Sequence, residues 1–436
     1  MASLTSYGAI RVFRNRAYRV YTEGNFVSLI GTWVQRVATG WLAWELTHSG
    51  AWLGAIAAAE LLPSIVLGPF GGAAADRMDR FRLIVWAQSL MAVQAFILGW
   101  AALHGWIEIW SLFGLTLVHG CLQSFNQASR LSLVRTLVQR DDLPAAIAVN
   151  SVLWNGARFV GPVCAGFLIV VVDIGWAFMA NGLSFIAFVW SMYVLRHEIP
   201  RGGSAAGGPI LKQIAEGVGY VVRHQGLGPL MLLLFIGAVF ARPFAELLPG
   251  IADAVFSRGA EGLATLTSAT GIGAVIAGVW LAQAAKFGRL TGLALHSNTA
   301  MAVALLVLAA TDSFWVGVAA TAAAGLCMTV NGVANQSIIQ YAAAPEMLGR
   351  VLSIYGLSFR AGPALGALGM GAASEWFGLQ LPVAVGAAVC IAAWLWLVRR
   401  QGRIAAAMGE GHDPGSEKSK IAKPAKPAKP KEPAPP

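Results

Sequence analysis

Twelve stretches of about twenty mostly apolar residues, joined by short connections, dominate this chain, and each is long enough to cross the apolar layer of a bilayer as a helix. They fall near 19–46, 52–74, 83–103, 108–134, 144–172 and 175–195, then near 228–250, 261–284, 290–311, 313–340, 347–374 and 379–398. They are called spans 1 to 12 below. A large soluble core is excluded by charge: Asp, Glu, Lys and Arg make up 12% of the 436 residues, about half the usual share. A bilayer core leaves only helices or closed barrels able to satisfy the backbone. The expected fold class is an all-α membrane protein. The 16 tryptophans and 50 glycines agree, because Trp gathers at membrane interfaces and Gly is common in membrane helices.

The formal charge of +10 is spread in a way that marks topology and does not suggest a nucleic-acid partner. Basic residues fall in alternate connections: Arg11 to Arg19, Arg77 to Arg82, Arg135 and Arg140, Arg196 to Arg223, Lys286 and Arg289, Arg350, and Arg399 to Arg403. The intervening connections lack Lys and Arg, with Arg258 as the exception. Retained positive charge marks the cytoplasmic side, so both termini are expected inside a cell inner (plasma) membrane. No small-residue cleavage site follows the first apolar stretch, which is therefore expected to be a retained helix.

The chain divides by composition into residues 1–195, a cytoplasmic linker at 196–227, residues 228–403 and a Lys/Pro-rich tail at 404–436 that is expected to be disordered. Within the linker, Ile214, Val218, Val221 and Val222 share a helical face, which predicts a helix lying at the membrane surface. Cys121, Cys164, Cys327 and Cys390 stand apart within apolar runs, and the seven histidines lack ligand spacing. No metal site is expected. A phosphate-binding loop of the Walker type is also absent, so energy should come from an ion gradient.

The two parts repeat each other. Span 4 carries Asn126-Gln127 and span 10 carries Asn335-Gln336. Span 5 then has Ser151, Arg158 and Gly161-Pro162, with Gly166 beyond; span 11 has Ser353, Arg360 and Gly362-Pro363, with Gly366 beyond. Two homologous six-helix halves form the layout of secondary transporters that rock about a midplane site. Proline removes a helix donor and bends the helix, while glycine permits close approach. Spans 5 and 11 are therefore expected to bend.

The connection after span 2, Gly72-Ala-Ala-Ala-Asp76-Arg77-Met-Asp79-Arg80-Phe-Arg82, resembles the Gly-x-x-x-Asp-Arg-x-Gly-Arg-Arg signature of the major facilitator superfamily. Asp79 and Phe81 depart from it. The resemblance implies twelve helices in two pseudo-symmetric bundles, and a conformational switch in which Gly72, Asp76, Arg77 and Arg80 contact neighbouring helix ends. Phe13-Arg14-Asn15, Gly31-Thr-Trp33-Val-Gln35 and Leu143-Pro-Ala-Ala-Ile-Ala-Val-Asn150-Ser151 are similar to the enterobactin-exporter-like and macrolide-efflux-like branch (the transmembrane secretion effector type). The Gly161-Pro162 segment resembles a span 5 motif associated with antiporters. Export is what this resemblance implies.

Ionisable groups within spans usually face a partner or a wet path. Span 1 carries a polar stripe through Asn25, Ser28, Thr32, Gln35 and Arg36; span 4 adds Gln123 and Asn126, span 5 adds Asn155, and span 10 adds Asn331 and Asn335. These line the expected substrate and proton path. Arg36 and Glu60 lie at similar depth, roughly 25 Å from the inner boundary at 1.5 Å per residue, which predicts a pair between spans 1 and 2. Arg242 and Glu246, four residues apart on span 7, invite a local ion pair, or else leave Glu246 as a proton-carrying carboxylate. Glu246, Glu60 and Glu23 are the candidate proton carriers, in that order. The chain is thus expected to be no enzyme but a monomeric secondary exporter, a proton antiporter of amphiphilic small molecules such as drugs or siderophores. It would need no cofactor, and its partners would be substrate, protons and membrane lipid. An importer of a small metabolite, or a non-transporting sensor or scaffold, is the alternative.

Overall fold

The computed structural model describes residues 11–198, 210–283, 290–344 and 346–408, and no strand occurs among them. Its long helices follow the apolar stretches: Arg16–Thr47, Gly50–Arg77, Arg80–Leu103, Ile109–Leu137, Leu143–Phe167 and Ile174–Val194 for spans 1 to 6. Gly259–Gln283, Leu290–Ala310, Phe314–Ala342, Leu348–Phe377 and Gln380–Val398 form spans 8 to 12. Ten helical segments are apolar and long enough to cross a membrane. The helices at Arg16–Thr47 and Ile109–Leu137 are long enough but fall outside that set. These are the two that bear the polar stripe of the first half, so their low hydropathy is the stripe itself.

Polar side chains in the connections start the helices. Asn15 accepts from the Tyr18 amide at 3.2 Å and Ser49 from the Trp52 amide at 3.2 Å. Asp79 accepts from the Phe81 amide at 2.9 Å. The acidic residue that replaces the usual glycine of the span 2–3 signature is therefore the N-cap of span 3, a position where Asp is strongly preferred. Gly72 has open space on its Cα side, and Arg80 opens the new helix. The side chains of Asp76 and Arg77 lie outside the described part of the structure, as do residues 284–289 with the degenerate second-half signature.

Span 7 departs from expectation. Helix Leu227–Phe240 stops, a turn runs through Ala241, Arg242 and Pro243, and helix Phe244–Gly250 continues into a π-helical turn at Ile251–Val255. Proline at 243 has no amide to give the preceding turn, so the Arg242 amide bonds back to Gly237 at 3.1 Å instead. By contrast the helices run through Pro162 and Pro363. Neither span is interrupted at its proline, and span 5 passes into a π-helical turn at Leu168–Val172. Gly161 and Gly362 there serve close packing, against Trp33 of span 1 and Ala238 of span 7 respectively.

Packing is tight at one end and divided at the other. Val34, Leu42 and Trp44 of span 1 share a core with Leu53 and Ile56 of span 2, Phe244 and Leu247 of span 7, Leu266 of span 8 and Met370 of span 11. This joint core lies at the end remote from residues 11 and 408. Toward the end bearing those residues it separates: Tyr18, Ile84, Leu133 and Phe188 form one cluster, and Leu230, Leu295, Ile338 and Ile404 another. Two seams of small residues close the remote end. Gly54 meets the Ala367 carbonyl and Gly371 meets Gly50 between spans 2 and 11, while Gly166 meets Ala264 between spans 5 and 8. Trp44 adds a hydrogen bond from Nε1 to Asp253 at 2.9 Å. The bundle is a wedge, shut remotely and divided near the termini.

The linker helix is present at Ile210–Arg223, but it docks on the second bundle. Glu216 pairs with Arg350 at 2.8 Å, the Tyr220 hydroxyl accepts from the Ala344 amide at 3.2 Å, and Val221 is buried while Val222 is exposed. A short helix, Gln401–Ala407, carries buried Ile404 into the first residues of the expected tail. Residues 409–436 lie outside the described part.

Candidate functional site

Where the joint core ends, charged side chains from both halves meet. Arg36 of span 1 approaches Glu60 of span 2 at 3.8 Å, which is the pair expected from depth. It binds Glu246 of span 7 more closely, donating from Nη2 to Oε1 at 2.5 Å. The three side chains are 27%, 19% and 18% exposed, so none is fully enclosed by protein. One guanidinium therefore ties the two halves together through two carboxylates.

The local Arg242–Glu246 pair does not form. The turn at Ala241–Pro243 removes the regular i, i+4 register and sends Arg242 under the ring of Phe359, with its guanidinium carbon 3.6 Å from the ring centroid. Arg242 is 8% exposed and its Nη2 has no hydrogen-bond partner. Arg158 of span 5 lies over Trp33 at 5.7 Å and donates to the Met328 sulfur at 3.7 Å. It sits within electrostatic range of Arg36, Arg242 and Glu246. Among the described residues neither Arg158 nor Arg242 has a carboxylate in ion-pair contact. Arg360, its counterpart in the repeat, is partly buried on span 11 and forms no ion pair among the described residues.

Aromatic rings complete the cluster. Trp33 and Trp154 stack edge to face at 6.1 Å, and Tyr355 and Phe359 lie 5.8 Å apart. Composition did not single these residues out. Tyr355 and Phe359 do fall between Ser353 and Arg360 of the span 11 repeat, and Trp33 within the Gly31–Gln35 run, so the signal was there.

Most of the polar candidates on spans 1, 4 and 10 are placed elsewhere. Gln35 accepts from Asn181 at 2.7 Å and donates to Gln94 at 3.3 Å, which binds span 1 to spans 6 and 3. Asn126 accepts from Gln88 at 3.1 Å and donates to Gln123 at 2.8 Å. Asn331 donates to the Ala294 carbonyl of span 9 at 2.9 Å, and Asn335 donates to the Asn331 carbonyl at 2.9 Å. Gln35, Asn126, Asn331 and Asn335 are buried inside their own bundles. Gln35, Asn126 and Asn331 are interhelical glue, the use of polar side chains where lipid offers no hydrogen bonds, whereas the bond of Asn335 stays within span 10. Asn155 is partly buried on span 5, and Glu23 is exposed. The replacement Gln35→Leu should lower the melting temperature in detergent by an amount matching about 1 kcal/mol and leave the apparent KM for substrate within about twofold, because its hydrogen bonds go to Asn181 and Gln94 of its own bundle.

A family model described as transmembrane secretion effector matches residues 7–414. The chain belongs to the transmembrane secretion effector family. It is accordingly a multi-pass membrane transporter of the major facilitator type, and not an enzyme. Among its relatives, macrolide efflux protein A of Streptococcus pyogenes is 23% identical over 351 residues, covering 79% of this chain and 86% of that one. The enterobactin exporter EntS of Shigella flexneri is 23% identical over 357 residues, covering 81% and 84%. Among solved structures, a POT family transporter in complex with 5-aminolevulinic acid superposes with a TM-score of 0.71 at 10% identity, covering 89% of this chain and 97% of that one. That likeness establishes the fold.

Proposed function

We propose that this family member is a monomeric secondary exporter of amphiphilic small molecules, driven by protons and working by alternating access in the inner membrane with both termini inside. The observation that carries the reading is the Arg36 bridge from Glu60 to Glu246 across the two halves. A bridge of this kind is a natural latch. While both carboxylates are ionised, Arg36 holds the remote end shut and the wedge opens toward the termini, where substrate enters from the cytoplasm or inner leaflet. Cargo bound between the halves loosens the bridge, and the seams between spans 2 and 11 and between spans 5 and 8 part, which exposes the cluster to the outside. Glu246 then takes a proton from the outside and releases it inside when the remote end recloses and the bridge re-forms, so protons and cargo move in opposite directions. The direction of transport is supported by the relatives named for efflux and export.

The test uses everted membrane vesicles and a fluorescent amphiphilic dye. Energised vesicles carrying the chain should accumulate the dye, and a protonophore should release it. Dye uptake that is equal in vesicles lacking the chain, or that is indifferent to the protonophore, would sink the exporter reading.

A further inference from the structure

We propose that the central cluster binds an organic anion with a flat apolar body, its charged group held by Arg242 and Arg158. The inference rests on the exporter reading of the same site and names the class of its cargo.

Charge balance comes first. Arg36 is already engaged by Glu60 and Glu246. Arg158 and Arg242 add two guanidiniums with no carboxylate of their own among the described residues, so three positive charges face two negative ones. Protonating either carboxylate widens the imbalance. An unpaired charge at this depth costs several kcal/mol unless a counter-charge or water relieves it. An anion entering between the halves supplies that counter-charge, whereas a cation meets net repulsion and finds both carboxylates occupied.

Donor geometry comes second. The ring of Phe359 covers one face of the Arg242 guanidinium at 3.6 Å, yet its edge still carries a buried Nη2 with no acceptor. Stacking leaves the N–H edge free, and that planar fork matches a carboxylate, sulfonate or phosphate. Arg158 has the ring of Trp33 and the Met328 sulfur as neighbours, both weak partners for a full charge.

Apolar surface comes third. Phe359 and Trp154 remain 39% and 41% exposed beside these arginines, enough for a flat ring to lie against while its acidic group reaches the forks.

The test uses three probes with one ring system: pyrenebutyrate, pyrenebutanol and pyrenebutylamine. Each is titrated against the full chain in nanodiscs, reading energy transfer from tryptophan to pyrene with empty nanodiscs subtracted. The butyrate should bind at least ~10-fold more tightly than the amine, equivalent to about 1.4 kcal/mol. Arg242→Gln should weaken the butyrate by a similar factor and the butanol by less than about twofold, and Arg242→Lys should restore part of the loss because charge remains without the fork. Arg158→Gln, read in the same way and checked for monodispersity, gives a second route should the first variant misfold. Equal affinity for all three probes, or preference for the amine, overturns the anion assignment while leaving the exporter reading standing. Binding of none of them also overturns the anion assignment, while the exporter reading is decided by dye uptake in everted vesicles.

Discussion

Arg36→Gln should reduce transport by more than 100-fold while leaving a folded, membrane-inserted protein. Removing the guanidinium leaves Glu60 and Glu246 facing each other without their shared counter-ion, and breaking a buried pair in this way costs roughly 3–5 kcal/mol where burial is complete. The three side chains are not fully enclosed by protein, so the full cost does not apply. What is not relieved is the lost join between spans 1 and 7, which in the proposed latch keeps the remote end closed. Arg36→Lys should be milder but still impaired, because an ammonium cannot serve two carboxylates in the planar geometry of a guanidinium. Initial rates of dye uptake in everted vesicles, normalised to protein by immunoblot, check both. A variant Arg36→Gln with wild-type rates would show that the bridge is incidental.

The second large effect concerns the seam between spans 2 and 11. A side chain at Gly54 would be driven into the Ala367 carbonyl, and one at Gly371 into the Gly50 carbonyl. Backbone atoms cannot swing aside as a flexible side chain can, so Gly54→Leu cannot be accommodated while the remote end is shut. The conformational equilibrium should shift toward the state with that end open. A shift from about 1:99 to 99:1 takes about 5.5 kcal/mol, which overpacking of 1–3 kcal/mol supplies only in part. Adding Gly371→Leu should bring the change close to complete. Transport should fall by at least tenfold in the single variant. A cysteine placed at Ser49, at the remote end, should react faster with a membrane-impermeant maleimide once the native cysteines are replaced. Lost transport with unchanged labelling would mean that the substitution merely unfolds the seam.

The fold was legible because the bilayer imposes one rule on every span. Twelve apolar stretches needed only counting, and the observed helix ends differ from the expected ones by a few residues where Asn15, Ser49 and Asp79 take the caps. The site was legible only in part. Depth arithmetic brought Arg36 beside Glu60, since both lie on neighbouring helices that start near one boundary. It could not bring Glu246 there, because 210 residues separate the partners and the turn at Ala241–Pro243 breaks the register from which a local pair with Arg242 follows. The residues of the polar stripes part company for a different reason. Adjacent helical residues point about 100° apart, so Gln35 and Arg36 share a stripe in sequence yet face different neighbours. Gln35 turns inward to spans 3 and 6, and Arg36 outward to spans 2 and 7. Periodicity shows that a face is polar, but whether it meets another helix of the same bundle or the path between bundles is decided by packing. The paired Gly-Pro segments marked the repeat correctly, and their glycines do form close contacts. An interruption that the sequence reading did not anticipate occurs in span 7, where proline follows an arginine in the middle of a span.

The claim on which the rest depends is that Glu246, when ionised, holds the remote end shut through Arg36. Spin labels at Gly105→Cys and Asp312→Cys, on remote connections of opposite halves, report that end as a distance distribution by pulsed electron resonance in nanodiscs. In Glu246→Gln, which mimics the protonated carboxylate, the longer-distance population should become dominant, and acidifying the otherwise unmodified labelled protein should move its distribution the same way. A distribution that stays short and unchanged in Glu246→Gln and across the acid range would contradict the account.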